Sequence, residues 1–269
     1  MARIAVLAYG TSAYALFLGT FLYLIGFVGN LVVPKSIDSG AGAGTLAAWI
    51  VDAGLLGLFA LQHSVMARPG FKRRWLRIIP IAIERSTFVL LTNVILWLLF
   101  WQWRPIATTL WQVPGGLGTA AVQSIFVVAW IVVLLGTFMT NHFELFGLRQ
   151  VWLHFRGTPY APIAFTTRGF YRYVRHPLMV GFLLAFWATP RMTAGHLMFA
   201  FTMTAYVLFG IRLEERDLAK VLGKSYEAYR ASTPALLPRG RSTRDGARRP
   251  RSSRQRHGRI RTEPVGRGI

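Results

Sequence analysis

The stretch YVRHPLMVGF, residues 173–182, sets Arg175, His176 and Pro177 directly ahead of an apolar run. Proline suits the first turn of a helix. A helix starting there exposes backbone N–H groups that favour a carboxylate or another anion. On spacing alone two readings stand: an anchoring helix entrance at a lipid surface, or a polar site half sunk in it. Further along, Glu214 and Glu215 follow a second apolar run in IRLEERDLAKVLGKSYEAYR. One reading pairs them with Arg212 and Arg216 as surface ion pairs of little worth. The other turns one carboxylate inward to bind an ammonium or sulfonium group. Acidic residues are unfavourable at a helix C-terminus, so the helix has to run on past them. The pattern Leu213, Asp217, Leu218, Val221, Leu222, Tyr226, Tyr229 carries it on, with Gly223 as a break. A third polar stretch, TNHFELFGLRQVW, contains Asn141, His142 and Glu144.

The elements that must position these residues are apolar. The chain has 269 residues, 53% of them hydrophobic, and a formal charge of +21. The two properties are segregated, with apolar runs up to about residue 211 and arginine crowded at the end. This is the pattern of a polytopic membrane protein with a basic tail. Spans are predicted near Ala5–Gly29, Leu46–Ala67, Ser86–Trp103 and Thr119–Thr140, followed by Leu178–Thr189 and Thr193–Ile211 around a turn at Pro190 and Arg191. The fold expected is an all-α integral membrane bundle of about six transmembrane helices, the last two a hairpin. The first apolar stretch exceeds the length of a signal-peptide core, about 7–15 residues, and reads as a span that stays.

Basic residues orient the bundle. Arg68, Lys72, Arg73, Arg74, Arg77 and Arg85 follow the second span, and Arg149, Arg156, Arg168, Arg172 and Arg175 follow the fourth. Lys35 and Arg104 are nearly all that the intervening loops carry. The positive-inside rule then places both termini in the cytoplasm. Residues 1–235 form the membrane domain. Residues 236–269 form a basic tail too poor in apolar side chains to fold alone, suited to anionic headgroups ahead of nucleic acid. The chain contains no cysteine, which excludes disulfides, thiolate metal sites and a cysteine nucleophile. No histidine–carboxylate set has metal spacing. The run GAGAGT follows no strand and reads as an external loop, not a phosphate cradle. His63 is expected as a buried polar contact between helices, and His154 and His196 have no partner legible in the sequence. Few intramembrane charges argue against a transporter or channel.

In order and at compatible spacing, GFYRYVRHPLMVG, a hairpin, the Glu214–Glu215 pair and GKSYEAYR resemble the C-terminal half of the isoprenylcysteine carboxyl methyltransferase superfamily, over roughly Arg168–Arg230. With NHFELFGLRQVW and the six-span layout, the whole chain resembles its nurim-like branch, the methanethiol S-methyltransferase family. The resemblance implies a cytoplasmic pocket for S-adenosyl-L-methionine beside the hairpin, and transfer of its methyl group to methanethiol, giving dimethyl sulfide. Carried over by position, Tyr171 contacts the cofactor, and His176, Pro177, Leu178 and Met179 form its binding turn. Residues 163–166, with Thr166, add contacts, and Glu214 faces its ammonium. Arg175, Glu215 and Tyr226 complete the expected cofactor set, Tyr226 and Tyr229 in a packing role first. Leu178 and Met179 depart from the more usual Ser-Tyr pair, which leaves polar contacts there to the backbone. Gly210 stands where the superfamily has a substrate-binding arginine, which counts against a carboxylate substrate and suits a small thiol. A thiol reacts as its thiolate, so a nearby base helps. His142 and Glu144 are the candidates, with Asn141 as orienter; the alternative for His142 is a residue capping the fourth helix. A membrane methyltransferase of a lipid or isoprenoid-linked carboxylate, and a non-enzymatic nurim-like protein, remain the rival readings.

Overall fold

A computed structural model describes residues 2–40, 45–163 and 167–238. Thr166, most of the GAGAGT run and the tail from Arg239 lie outside the described residues. Residues up to Leu237 form one compact unit.

The chain is mostly helical. Among the described residues, five helices are long and apolar enough to cross a membrane: α1 (Ala2–Gly29), α2 (Leu46–Ala67), α4 (Ile81–Gln102), α5 (Leu117–Met139) and α9 (Ala194–Leu222). At about 1.5 Å per residue each reaches 30 Å or more. Their outward surfaces carry large apolar side chains, among them Leu22, Trp101, Leu117 and Phe201, each more than 65% exposed. A hydrocarbon surround solvates such a surface and water does not. The protein is therefore an integral membrane protein. Shorter helices complete it: α3 (Pro69–Trp75), α6 (His142–Leu145), α7 (Leu148–Arg156), α8 (Pro177–Trp187) and α10 (Lys224–Ser232).

The expected six-span layout meets a difference at α8. Its 11 residues rise only about 16 Å at helical pitch. The chain continues as an extended segment and a short strand, β2 (Arg191–Thr193), paired antiparallel with β1 (Thr109–Gln112). The architecture is thus not purely α. An extended backbone beside apolar helices needs partners for its N–H and C=O groups, and β1 supplies them. Val113 N–H donates to Pro190 O at 2.8 Å, and Ala194 N–H to Thr108 O at 2.9 Å. Helix α9, by contrast, continues through Glu214 and Glu215 as its pattern predicts. It stops at Gly223, whose φ of 55° is open to glycine at little cost.

Helices α5 and α8 set the position of everything that follows. A Cβ added at Gly181 would come within 2.7 Å of Val133 Cγ2 and 2.9 Å of Ala129 O, and one at Gly136 within 3.3 Å of the Leu178 backbone. Small residues let the two backbones approach closely, and the pairing buries Ala129, Val133 and Ala185 with Phe186 and Phe199 in the main core. Because Gly136 lies one turn from the end of α5 and Leu178 one residue into α8, residues 140–176 leave and return at the same end of the bundle. Gly181→Val is expected to destabilise the protein by about 1–3 kcal/mol through overpacking, read as an earlier thermal midpoint in detergent. Gly54→Ala, whose Cβ meets open space, should leave the midpoint unchanged or raise it.

Candidate functional site

The entrance to α8 is built from three directions. Pro177 takes the first helical position, and His176, the N-cap, makes no side-chain capping bond. The N–H groups of Leu178 and Met179 therefore have no intrahelical acceptor. Before them, a 3₁₀ turn (Gly169–Arg172) starts at a left-handed glycine, φ 58°, pressed against Met139 at the end of α5. Behind them, the segment after α10 lies alongside: Arg175 N–H donates to Pro234 O at 2.8 Å, and His176 N–H to Ala235 O at 3.1 Å.

At the centre is Glu215, buried in α9. Its Oε1 accepts from Arg175 Nε at 2.8 Å and lies 2.7 Å from Arg175 Nη2. The same oxygen is 3.1 Å from Nε2 of the buried His176, and Oε2 faces Arg230 Nε at 3.5 Å. A carboxylate held away from water needs this density of donors. Arg175 is also consumed by the cluster, since its Nη1 donates to the carbonyls of Arg230 and Thr233. Neither glutamate pairs with Arg212 or Arg216, among the described residues. The two adjacent acids instead divide: Glu215 is locked inside, whereas the Glu214 side chain is half exposed, 3.8 Å from His176 Nδ1. Among the described residues, the Glu214 carboxylate and the Leu178 and Met179 N–H groups of α8 thus flank His176 with capacity to spare.

Tyrosines close one side. The Tyr171 hydroxyl is 2.6 Å from Thr140 Oγ1, and Tyr229 O–H donates to Tyr171 O at 2.6 Å. Tyr226 is fully buried and meets Tyr229 edge to face. Burial raises the Tyr171 pKa and, with the neighbouring Tyr226 and Tyr171, pushes Tyr229 up to about 12. All three remain neutral donors at physiological pH.

Asn141, His142 and Glu144 follow α5 but serve different partners. Asn141 is left-handed, φ 81°, and its Oδ1 caps α6 by accepting from Glu144 N–H at 3.3 Å. His142 turns into the bundle, stacked on Phe138 at 4.4 Å. Its tautomer follows from its neighbours. The Thr137 hydroxyl donates to Leu134 O at 2.6 Å, so its oxygen accepts from His142 Nδ1–H at 2.9 Å. That leaves the Nε2 lone pair to accept from Tyr14 O–H at 2.7 Å. Glu144 points elsewhere, 2.8 Å from Arg149 Nη1 and 2.5 Å from Tyr160 O–H. Burial and that carboxylate push Tyr160 up to about 12.

The two groups of residues share one end of the bundle. Thr137 touches His142, Thr140 touches Tyr171, and Gly136 abuts Leu178, all on the last turns of α5. Tyr14, Thr137, Thr140 and Tyr160 belong to this neighbourhood and were not singled out in the sequence. A hydroxyl in or next to an apolar helix is the signal for Tyr14, Thr137 and Thr140; Tyr160, in the connection after α7, carries none. The other histidines lie apart: His63 stacks on Phe59, and His196 Nε2 is 2.9 Å from Phe186 O near the ribbon. No group of three or more His, Asp or Glu able to hold a metal occurs among the described residues.

Burial lowers the His142 pKa below its ordinary value. Below about pH 6.5 the unfolded chain then binds more protons than the folded one. Stability present above that pH should fall as pH drops toward the lowered folded value. Thermal midpoints between pH 7.5 and 5 should show this decline, and His142→Gln should show a lower midpoint at pH 7.5 with a flatter profile.

Comparison with known proteins gives a consistent picture. The family model described as NnrU protein matches residues 53–231. A methanethiol S-methyltransferase of Mycobacterium tuberculosis is 52% identical, over 88% of this chain and 98% of its own. One from Crocosphaera subtropica is 50% identical, over 88% of this chain and 93% of its own. Nurim of Xenopus laevis is 30% identical over 63% of this chain and 62% of its own. No solved structure matches. The chain therefore belongs to the NnrU protein family, together with the methanethiol S-methyltransferases to which about half of its aligned residues are identical.

Proposed function

We propose that the protein is an S-adenosyl-L-methionine-dependent thiol S-methyltransferase that converts methanethiol to dimethyl sulfide. The observation that carries this reading is the identity of about half the residues, over nearly nine-tenths of the chain, to several proteins of that name. The α8 entrance fits such a methyl donor. An amino-acid moiety needs an acceptor for its ammonium and donors for its carboxylate. Glu214, half exposed and in a long contact with His176, provides the first, and the Leu178 and Met179 N–H groups provide the second. When bound, the donor supplies an electrophilic methyl on a sulfonium.

In this reading the cofactor set is Thr166, Tyr171, Arg175, His176, Pro177, Leu178, Met179, Glu214, Glu215 and Tyr226. Arg175 and Glu215 act by holding His176 and the α8 entrance in place. His142, neutral and basic at Nε2, takes the thiol proton by way of the Tyr14 hydroxyl, with Asn141 and Glu144 fixing the segment that carries it. Alignment of sulfur with methyl and exclusion of water supply much of the rate.

The proposed topology has six passes, counting α8 with its extended continuation, and termini in the cytoplasm of a bacterial inner membrane. The pocket of the α8–α9 hairpin opens to that side. Support comes from the clustering of the basic connections at one end, where Arg68 meets Asp217, Arg85 meets Leu145 O and Arg3 lies against Gly157. Residues 1–235 make up the membrane domain and 236–269 a basic tail lying on anionic headgroups.

Protein reconstituted in liposomes with S-adenosylmethionine and methanethiol should release dimethyl sulfide to the headspace, matched by S-adenosylhomocysteine; no product above a denatured control would overturn the proposal. Glu214→Gln should raise the KM for the methyl donor about tenfold, the loss of about 1.4 kcal/mol of an ionic contact, with kcat largely kept. Tyr14→Phe should lower kcat on the order of a hundredfold, as for loss of proton transfer, with donor KM unchanged.

A further inference from the structure

One surface of α9 changes character abruptly. Phe201, Ala205 and Leu208 are exposed along the apolar part of the helix. Arg212, Arg216 and Lys220 continue the same face, because four-residue steps keep side chains within one stripe. The cationic stripe lines an open cleft of about 510 Å³ with Ala219, Glu215, and Glu227 and Arg230 from α10.

The cleft is short of negative charge. Four cations face two carboxylates, and Glu215 is shared among Arg175, His176 and Arg230. Arg212 and Lys220 enter none of the ion pairs among the described residues, and Arg216 reaches only Asp217, at 3.9 Å. Like charges four residues apart destabilise a helix by about 0.2–0.5 kcal/mol per pair, so the stripe is better with a counter-anion than without.

We propose that this cleft binds the phosphate of an anionic phospholipid. The acyl chains would lie against Phe201 and Leu208, and the phosphodiester between Arg212 and Arg216 with Lys220 and Arg230 around the headgroup. The position selects a lipid over a soluble anion, since the cations begin one residue after the apolar stretch of α9 and on its bilayer-facing stripe. Arg230 links the site to the rest of the protein, because it also faces Glu215 and its carbonyl accepts from Arg175. A bound headgroup therefore ties α10 to α9 and steadies the α8 entrance. This goes beyond methyl transfer and does not depend on it.

The full chain in a neutral detergent would be titrated separately with phosphatidylglycerol, phosphatidylcholine and inorganic phosphate. Bound lipid would be counted by native mass spectrometry and the thermal midpoint recorded. The expected result is one retained phosphatidylglycerol per chain with a raised midpoint, little retention of phosphatidylcholine, and at least tenfold weaker retention in R212Q/R216Q. The charge-preserving R212K/R216K should recover most of it. The basic tail is common to all variants, so it cannot produce a difference between them. Equal retention by wild type and R212Q/R216Q would overturn the proposal, as would equal retention of the two lipids. A shift by phosphate alone, with phosphatidylglycerol adding nothing, would make the cleft a small-anion site and overturn the lipid assignment.

Discussion

A carboxylate buried beside apolar helices has to be surrounded by donors, and Glu215 obtains them from two separate parts of the chain. Arg175 and His176 come from the entrance of α8, Arg230 comes from α10, and the carbonyls of Arg230 and Thr233 complete Arg175. Removing one charge of such a set leaves the other stranded, which typically costs about 3–5 kcal/mol. The set therefore ties the end of α9, the start of α8 and the segment after α10 into one unit. Its neighbour Glu214 stays half exposed, in a 3.8 Å contact with His176.

The lock operates only where α8 begins beside the end of α5. That placement comes from glycines: Gly181 has no room for a Cβ, and one at Gly136 would press closely on Leu178. It brings the Thr137–His142–Tyr14 chain and the Thr140–Tyr171–Tyr229 chain to the same end of the bundle. The shortness of α8 has a counterpart at the other end, where the paired strands take up the backbone groups that a longer helix would have satisfied internally.

Much of this was legible in the sequence because the signals were strong and local. Long apolar runs mark helices whatever their neighbours are, and the helix dipole together with the helical pattern beyond Glu214 and Glu215 indicates that α9 continues past them. The ribbon was not legible: TLWQ and RMT are too short for a period-two pattern, and their pairing joins segments some eighty residues apart. Nor could spacing say which of two adjacent glutamates turns inward. A helix places them about 100° apart, and only the positions of Arg175 and His176 decide. Tyr14 shows the same limit, since its partner His142 lies 128 residues away.

The central claim is that Glu215 and Arg175 act as one device holding the proposed methyl-donor site. The most direct measurement is calorimetric binding of S-adenosylhomocysteine to Arg175→Gln, Glu215→Gln and the double variant in detergent. Each single substitution should weaken binding about tenfold or more, and the double should be no weaker than the worse single, because the partners act together. Losses that multiply in the double variant, or single variants that bind like the wild type, would contradict it.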